Sequence, residues 1–292
     1  MKKNIILFIV LAAVCCGASA QQKQSGARPN ASHGTVCQRK VIDTADLRIK
    51  YAWGAEDINN PDTYLDLGQL QIGKRCTKYS SFFVEQANDQ RVAWAKEHPN
   101  AQGVPNGARW KGGRKADVWS EYQYSDIFFF SDTLNEWAMM PMGQEWPQRY
   151  TEKMMPIAWT LGTDTATILG HPCQQATCHW RGRDYEAWFA TDIPIRRGPW
   201  KFGGLPGLIM KIYDKDRLYV FEAVAIERGS FPIYQYPKDE FQKSTRKRTY
   251  ELQVAYNRNY LKTAGIREWD PVTNTAGNLK SSPHDYDPME LE

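Results

Sequence analysis

The sequence predicts a mainly β chain of α+β type: an antiparallel meander curved into an open or half β-barrel, with one or two helices packed on it. Three observations predict it. From Met154 onward, apolar runs of strand length recur at short intervals, separated by turn residues such as Gly162-Thr163-Asp164, Gly170-His171-Pro172, Arg181-Gly182-Arg183-Asp184 and Asp214-Lys215-Asp216-Arg217. Strands joined by tight turns must run in opposite directions. Asp46-Leu47-Arg48-Ile49-Lys50-Tyr51 alternates polar and apolar residues, as a strand with one buried face does. Aromatics reach 13%, with 11 Trp and 15 Tyr, and such bulky amphipathic rings suit sheet surfaces and binding faces alike.

In chain order, Lys2 and Lys3 precede an apolar run from Ile5 to Ala13, and Ala18-Ser19-Ala20 stands before Gln21. That is the three-part form of a secretory signal over residues 1–20. A membrane anchor is the weaker reading, because the run is short and ends in small residues rather than charge. Cys15 and Cys16 raise a lipid-attachment reading, weakened by Val14 in front of them. Residues 21–34 are polar and read as a disordered leader. Residues 35–272 read as a single β-rich domain, and 273–292 as a polar surface tail containing Pro283 and Pro288.

Within the domain, Val36–Trp53 is expected as strand. Tyr64–Ile72 is a second strand, whose phase slips near Gly68 in the manner of a bulge. Ser80 or Ser81 caps a helix running to about His98, with Phe83, Val84, Ala87, Trp94 and Ala95 near helical spacing. Pro99–Gly113 is a turn-rich insertion. Val118–Phe130 is an aromatic strand. Ile157–Trp159, Thr165–Leu169, Gln174–Trp180, Tyr185–Phe189, Leu208–Tyr213 and Leu218–Ala225 complete the meander. A helix is expected over Pro237–Ala264, stopped by Gly265.

The formal charge is +4, two units of which belong to Lys2 and Lys3. This balance does not point to nucleic acid, and the basic run Lys243–Arg248 reads as a solvated helix face. Beyond the leader no stretch is apolar enough to span a bilayer as a helix. Four cysteines follow the leader: Cys37, Cys76, Cys173 and Cys178. Outside the cytosol they are disulfide candidates, with three pairings open. On one strand Cys173 and Cys178 would lie about 16 Å apart, too far to bridge, so links to Cys37 and Cys76 are easier.

His171, Cys173, Cys178 and His179 also offer zinc- or copper-type ligands. A strand would turn the two thiols to opposite faces, which weakens a shared metal site. Arg181 and Arg183, with Arg196 and Arg197, would either receive an anion or pair with Asp184, Glu186 or Asp192. No Gly-x-Ser-x-Gly elbow exists among these residues, no motif asks for a cofactor, and an envelope hydrolase built on converging carboxylates is left as an alternative.

The segment Gly203-Gly204-Leu205-Pro206-Gly207-Leu208-Ile209 combines three glycines and a proline with apolar anchors. It reads as a tucked loop plugging one end of the sheet, as a backbone-lined binding edge, or as an anion loop, the last weakened because no Lys-Ser or Lys-Thr follows. This segment resembles the signature of the GLPGLI (Porph_ging) family of exported Bacteroidetes proteins. The likeness extends in order and spacing to Gly170–Thr177, Arg181-Gly182-Arg183, Ala187-Trp188-Phe189, Ile193-Pro194-Ile195, Gly198-Pro199-Trp200-Lys201-Phe202 and the ending Tyr286–Leu291. The resemblance implies export and a cell-envelope setting, with no assigned activity. It also implies, as a partner, an outer-membrane β-barrel or TonB-dependent protein. The aromatic-rich sheet offers a hydrophobic ligand as the other occupant.

Overall fold

The computed structural model describes residues 39–100, 122–140, 146–265, 267–270, 272–278 and 285–292. The expected signal, the leader, Cys37 and nearly all of the Pro99–Gly113 insertion lie outside these residues.

Alternation in the sequence becomes two antiparallel meanders in a single sheet. The first runs through β1 (Lys40–Trp53), β2 (Asp66–Gly73), β3 (Thr77–Ser81), β4 (Ser125–Phe130), β5 (Thr133–Ala138) and β6 (Gln148–Lys153). The second runs through β7 (Thr160–Ile168), β8 (His171–Trp180), β9 (Arg183–Ala190), β10 (Ile209–Asp214) and β11 (Val220–Gln235). A short β12 (Gln242–Lys243) adds parallel to β6. The order is β12-β6-β5-β4-β3-β2-β1-β11-β10-β9-β8-β7, so the meanders meet where β1 pairs with β11. Two-residue turns with positive φ, Leu169-Gly170 and Arg181-Gly182, join β7 to β8 and β8 to β9. Such turns match the right-handed strand twist.

This twelve-stranded sheet is open and not closed into a barrel. It is also far from flat. β6 and β7 stand near opposite edges, yet only Met154–Trp159 connects them. That link reaches about 25 Å, whereas ten strand spacings in a flat sheet need about 48 Å. The sheet therefore coils, and β6 comes within ion-pair distance of the β8–β9 turn: Glu152 meets Arg181 at 2.9 Å. One core cluster accordingly gathers Ile49, Tyr51, Leu70, Ile127 and Leu134 of the first meander with Ala176, Tyr185, Phe189, Ile212 and Phe221 of the second. A second cluster, with Phe128, Trp137, Ile233, Phe241 and Tyr256, lies against the other side of the first meander.

The α1 helix (Phe82–Glu97) begins where expected, with the Ser81 hydroxyl accepting from the Val84 amide at 3.1 Å. The expected long C-terminal helix is shorter. Gln242–Lys243 first pairs with β6, and Thr245 then caps α2 (Arg246–Arg258), which is followed by α3 (Tyr260–Thr263). Gly265, at φ +66°, stands after α3 where the stop was expected.

Three other expectations are corrected. β2 carries no bulge at Gly68: its register with β1 and β3 is regular there, and it is buried along most of its length. The phase slip in the sequence reflects burial of both faces, which removes alternation. Gly162-Thr163-Asp164 is not a turn between strands but an irregularity inside β7, between Leu161 and Thr165. An edge strand, paired on one side only, absorbs extra residues this way. Finally, the boundary at 272/273 falls within a small hairpin, β13 (Arg267–Asp270) with β14 (Thr275–Asn278), and residues 285–292 return to the core. Among the described residues no helix is long and apolar enough to cross a membrane.

Candidate functional site: the glycine loop and the strap it receives

The chain between β9 and β10 does not take a short route. It folds on itself through bonds from the Gly198 amide to the Phe202 carbonyl (3.0 Å), from Gly204 to Arg196 (3.2 Å) and from Leu208 to Ile193 (3.0 Å). Backbone polar groups are thereby satisfied within the loop. The loop can then press Trp200, Phe202, Leu205 and Leu208 into the core, where all are nearly inaccessible. Trp200 meets Tyr122, Trp180 and Phe202 in edge-on or tilted contacts of 5.6 to 5.9 Å. Tyr185 packs edge-on against Phe202 at 4.8 Å.

The glycines serve this folding in different ways. Gly204 sits at φ +94°, a region costly for other residues. At Gly207 the backbone of Ala190 comes so close that a Cβ would lie 1.8 Å from its carbonyl oxygen. At Gly203 a Cβ would stand 2.9 Å from the Arg196 carbonyl, while its own carbonyl accepts from Trp159 Nε1 at 2.9 Å. Pro206 is exposed. Ile209 opens β10, and its carbonyl accepts from the buried Tyr51 hydroxyl at 2.8 Å.

Against this loop lies residues 285–292, a strap that the sequence places on the surface and the structure does not. Met289 is fully buried and Glu290 is 4% exposed. The Leu291 amide donates to the Arg181 carbonyl (2.9 Å), and the Met289 amide donates to the Tyr122 hydroxyl (2.9 Å). Tyr185 and Tyr250 donate to the carbonyls of Met289 and Glu290 at 2.9 and 2.6 Å. Gly182 leaves room for the strap, since a Cβ there would meet the Leu291 side chain at 2.7 Å.

Charge fastens the strap. The Glu290 carboxylate is met by Lys201 at 2.8 Å, Arg181 at 2.6 Å and Arg246 at 2.6 Å. Burial alone would raise its pKa, but these three cations outweigh it and hold Glu290 down to about 2. Lys201 also meets Glu136 at 2.8 Å, and Glu136 accepts from the Tyr150 hydroxyl at 2.7 Å. Glu136 is likewise held below the usual carboxylate range, its burial offset by Lys201. Arg183 donates to the Pro288 carbonyl at 2.8 Å and pairs with Asp214 at 3.3 Å and Asp287 at 2.5 Å.

Arg181 and Arg183 thus do not pair with the neighbouring acids Asp184, Glu186 and Asp192. Their partners lie on β6, at the end of β10 and on the strap. A hairpin presents both arginines inward to an acidic segment distant in sequence, and local spacing carries no trace of that. Arg196 donates to the Gly204 carbonyl at 2.8 Å, and Arg197 lies 4.9 Å over the Phe129 ring. Trp188, on β9, is half-buried and donates to Glu186 at 3.2 Å, outside the socket.

The His–Cys set is not brought together. β8 and β9 keep regular register from Cys173 to Trp180, so Cys173 and Cys178 face opposite sides of the sheet. His171 Nδ1 lies 2.8 Å from Asp192, and His179 Nδ1 lies 2.7 Å from Asp184. Cys76, Cys173 and Cys178 are free and buried, which corrects the expected links from Cys173 or Cys178 to Cys76; Cys37 lies outside the described residues. Burial pushes the Cys76 thiol up to about 11 and Cys178 up to about 12, and raises Cys173 as well. Thiols so shifted are protonated at neutral pH and poor as nucleophiles or ligands. Among the described residues no three His, Cys, Asp or Glu side chains are grouped to hold a metal ion.

Lys201, Glu136, Tyr150 and Glu290 complete the socket; Lys201 and Glu290 lie in stretches that resemble the family's, but the sequence assigned none of the four a role. Beyond the family-like ending, the signal was indirect: a Met-Glu-Leu string inside a polar tail, with apolar residues where a solvated segment needs none.

Fold and site together define an open, coiled sheet whose loop between β9 and β10 clasps a returning strap. Residues 181–211, which carry both arginines and the whole glycine loop, match the model of a family described as "Protein of unknown function (Porph_ging)". This agrees with the resemblance read from the motifs. Solved structures of PNGF-II, in the P21 and C2 space groups, are similar at 12% identity, with TM-scores of 0.45 and 0.44. The alignments cover 74% of this chain and 34% of those chains, so this chain spans about a third of their length. No curated protein matches.

Proposed function

We propose that the protein is an exported cell-envelope binding or accessory protein, a half-barrel that docks on an outer-membrane β-barrel or TonB-dependent partner. The observation that carries this reading is the state of the charges in the motif region. Glu290, Glu136, Lys201, Arg181 and Arg183 all engage one another or the strap. Carboxylates held ionised by such pairing are poor general acids or bases at neutral pH. The motif is therefore a frame, and function falls to the surfaces it holds in place.

The surface that suits a strand-rich partner is β7. It is the outer edge of the sheet, paired only with β8, and is exposed over most of its length. Leu161 and Leu169, at its start and just after its end, are 53% and 47% exposed. An edge of this kind offers unpaired backbone groups to an added strand. The test is photocrosslinking in native cells from positions 161 and 169, with Leu218, equally exposed on another turn, as control. The proposal expects an outer-membrane protein captured from 161 and 169 but not from 218. No membrane-protein adduct from either site, or mature protein retaining Met1 in the cytosol, would overturn it.

A further inference from the structure

Among the described residues, three cations drawn into the core are each consumed by acids: Lys78 by Glu85 and Asp126, Lys201 by Glu136 and Glu290, Arg183 by Asp214 and Asp287. One cleft departs from that pattern. It lies between β5, β6 and the crossing Gln235–Lys238 segment, with a volume of about 460 Å³, and shares Tyr150 with the strap socket. Arg75, Arg149 and Lys238 line it, and no carboxylate is among its lining residues.

These cations are lightly engaged. Arg149 uses only its Nε among the described residues, donating to the Lys238 carbonyl at 3.3 Å. Lys238 Nζ has no partner among the described residues. Arg75 is 74% exposed at its side chain and stands 3.8 Å from Asp43, outside the cleft. Polar and apolar groups share the lining, the apolar part including two aromatic rings. Trp137 is buried, its ring 5.9 Å from the Arg149 guanidinium, and Phe130 is half-buried beside it. Asn135 and Thr151 add neutral polar groups, already bonded to each other.

We infer that this cleft binds a small organic anion: a phosphate or carboxylate carried on a ring. Three lining cations with no carboxylate among the lining residues favour an anionic group, and arginine's planar fork matches phosphate and carboxylate oxygens two at a time. Aromatic walls favour a flat or ring-shaped body over a bare inorganic ion. The volume is that of a small-ligand pocket. The inference is independent of export and of the β7 edge.

Phenyl phosphate is the probe, with inorganic phosphate (charge without ring) and benzyl alcohol (ring without charge) as controls. Binding is followed by calorimetry and by the NMR shift of the Trp137 indole, assigned with Trp137→Phe. Phenyl phosphate is expected to saturate with a Kd of about 1 mM or below, and each control to bind about tenfold or more weakly. Arg149→Gln with Lys238→Gln is expected to weaken phenyl phosphate about tenfold or more, and Lys247→Gln, on α2, to leave it unchanged. If the double variant folds poorly, Lys238→Gln alone carries the comparison, because its head group makes no bond among the described residues. Absence of saturation by about 10 mM phenyl phosphate, equal binding by benzyl alcohol, or undiminished binding by a folded cleft variant would each overturn the inference.

Discussion

Glu290 in the strap socket and Asp66 beneath the first turn of α1 are both nearly inaccessible, 4% and 2% exposed, yet their surroundings push them in opposite directions. Glu290 has three cations around it and is held down to about 2. Asp66 has none among the groups that shift it; burial raises it to about 7, against the Ser81 hydroxyl donating at 2.8 Å and further bonds from Leu67 and Gln123. Between them stands Lys78, a single cation shared by two acids. It holds Glu85 down despite burial but leaves Asp126 raised. Burial by itself favours the neutral carboxyl, and the cations and hydrogen-bond donors facing it, set against neighbouring acids, decide the sign. In this protein the well-supplied acid is the one that fastens a distant piece of chain.

The sharpest way to break that comparison is to remove the strap. A chain ending at residue 284 loses the Met289 core contact and the Glu290 carboxylate, and leaves Arg181 and Arg183 short of partners. A loss of about 5 kcal/mol in urea unfolding is expected. An unchanged midpoint would make the strap an ornament. The glycine loop comes next. Gly207→Val must displace the Ala190 backbone and is expected to cost about 4 kcal/mol, exceeding Arg183→Ala at about 3 kcal/mol, which leaves Asp214 buried without its cation. The reverse order would mean that charge, not close backbone approach, holds the loop.

Acid titration sharpens the contrast directly. Because the folded pKa of Glu290 lies below its unfolded value, its contribution is present above about pH 4.5 and lost as pH falls toward 2. It is on the order of 3 kcal/mol, so Glu290→Gln should flatten the acid limb of stability by that much. Asp66 has the opposite sign. Its folded pKa is raised, so the protein is favoured below about pH 4 and loses stability as pH rises toward 7. Asp66→Asn is therefore expected to gain about 1–2 kcal/mol at pH 8 and nothing at pH 3.5. A loss at pH 8 would show that Asp66 is paired after all.

The parts of this fold that the sequence disclosed are those governed by neighbours. The β7–β11 meander was legible because tight turns such as Arg181-Gly182 leave a local mark, and α1 because Ser81 caps it. β2 misled because burial on both faces erases alternation, so Gly68 passed for a bulge. The glycine loop was recognisable as a motif, and its glycines as backbone devices. What it embraces was not, since Glu290 reaches Lys201 and Arg181 across about ninety and one hundred and ten residues of chain, and no period or spacing encodes such a meeting. The His–Cys set shows the converse: proximity in sequence without convergence in space.

Hydrogen exchange at the strap tests the account most directly. The Met289 amide donates to the Tyr122 hydroxyl in a buried setting, and the Leu291 amide, on a half-exposed residue, donates to the Arg181 carbonyl. The account predicts that both exchange only with opening of the core, at protection comparable to the β9 amides. Exchange of Leu291 at the rate of an unstructured peptide, while β9 stays protected, would contradict it.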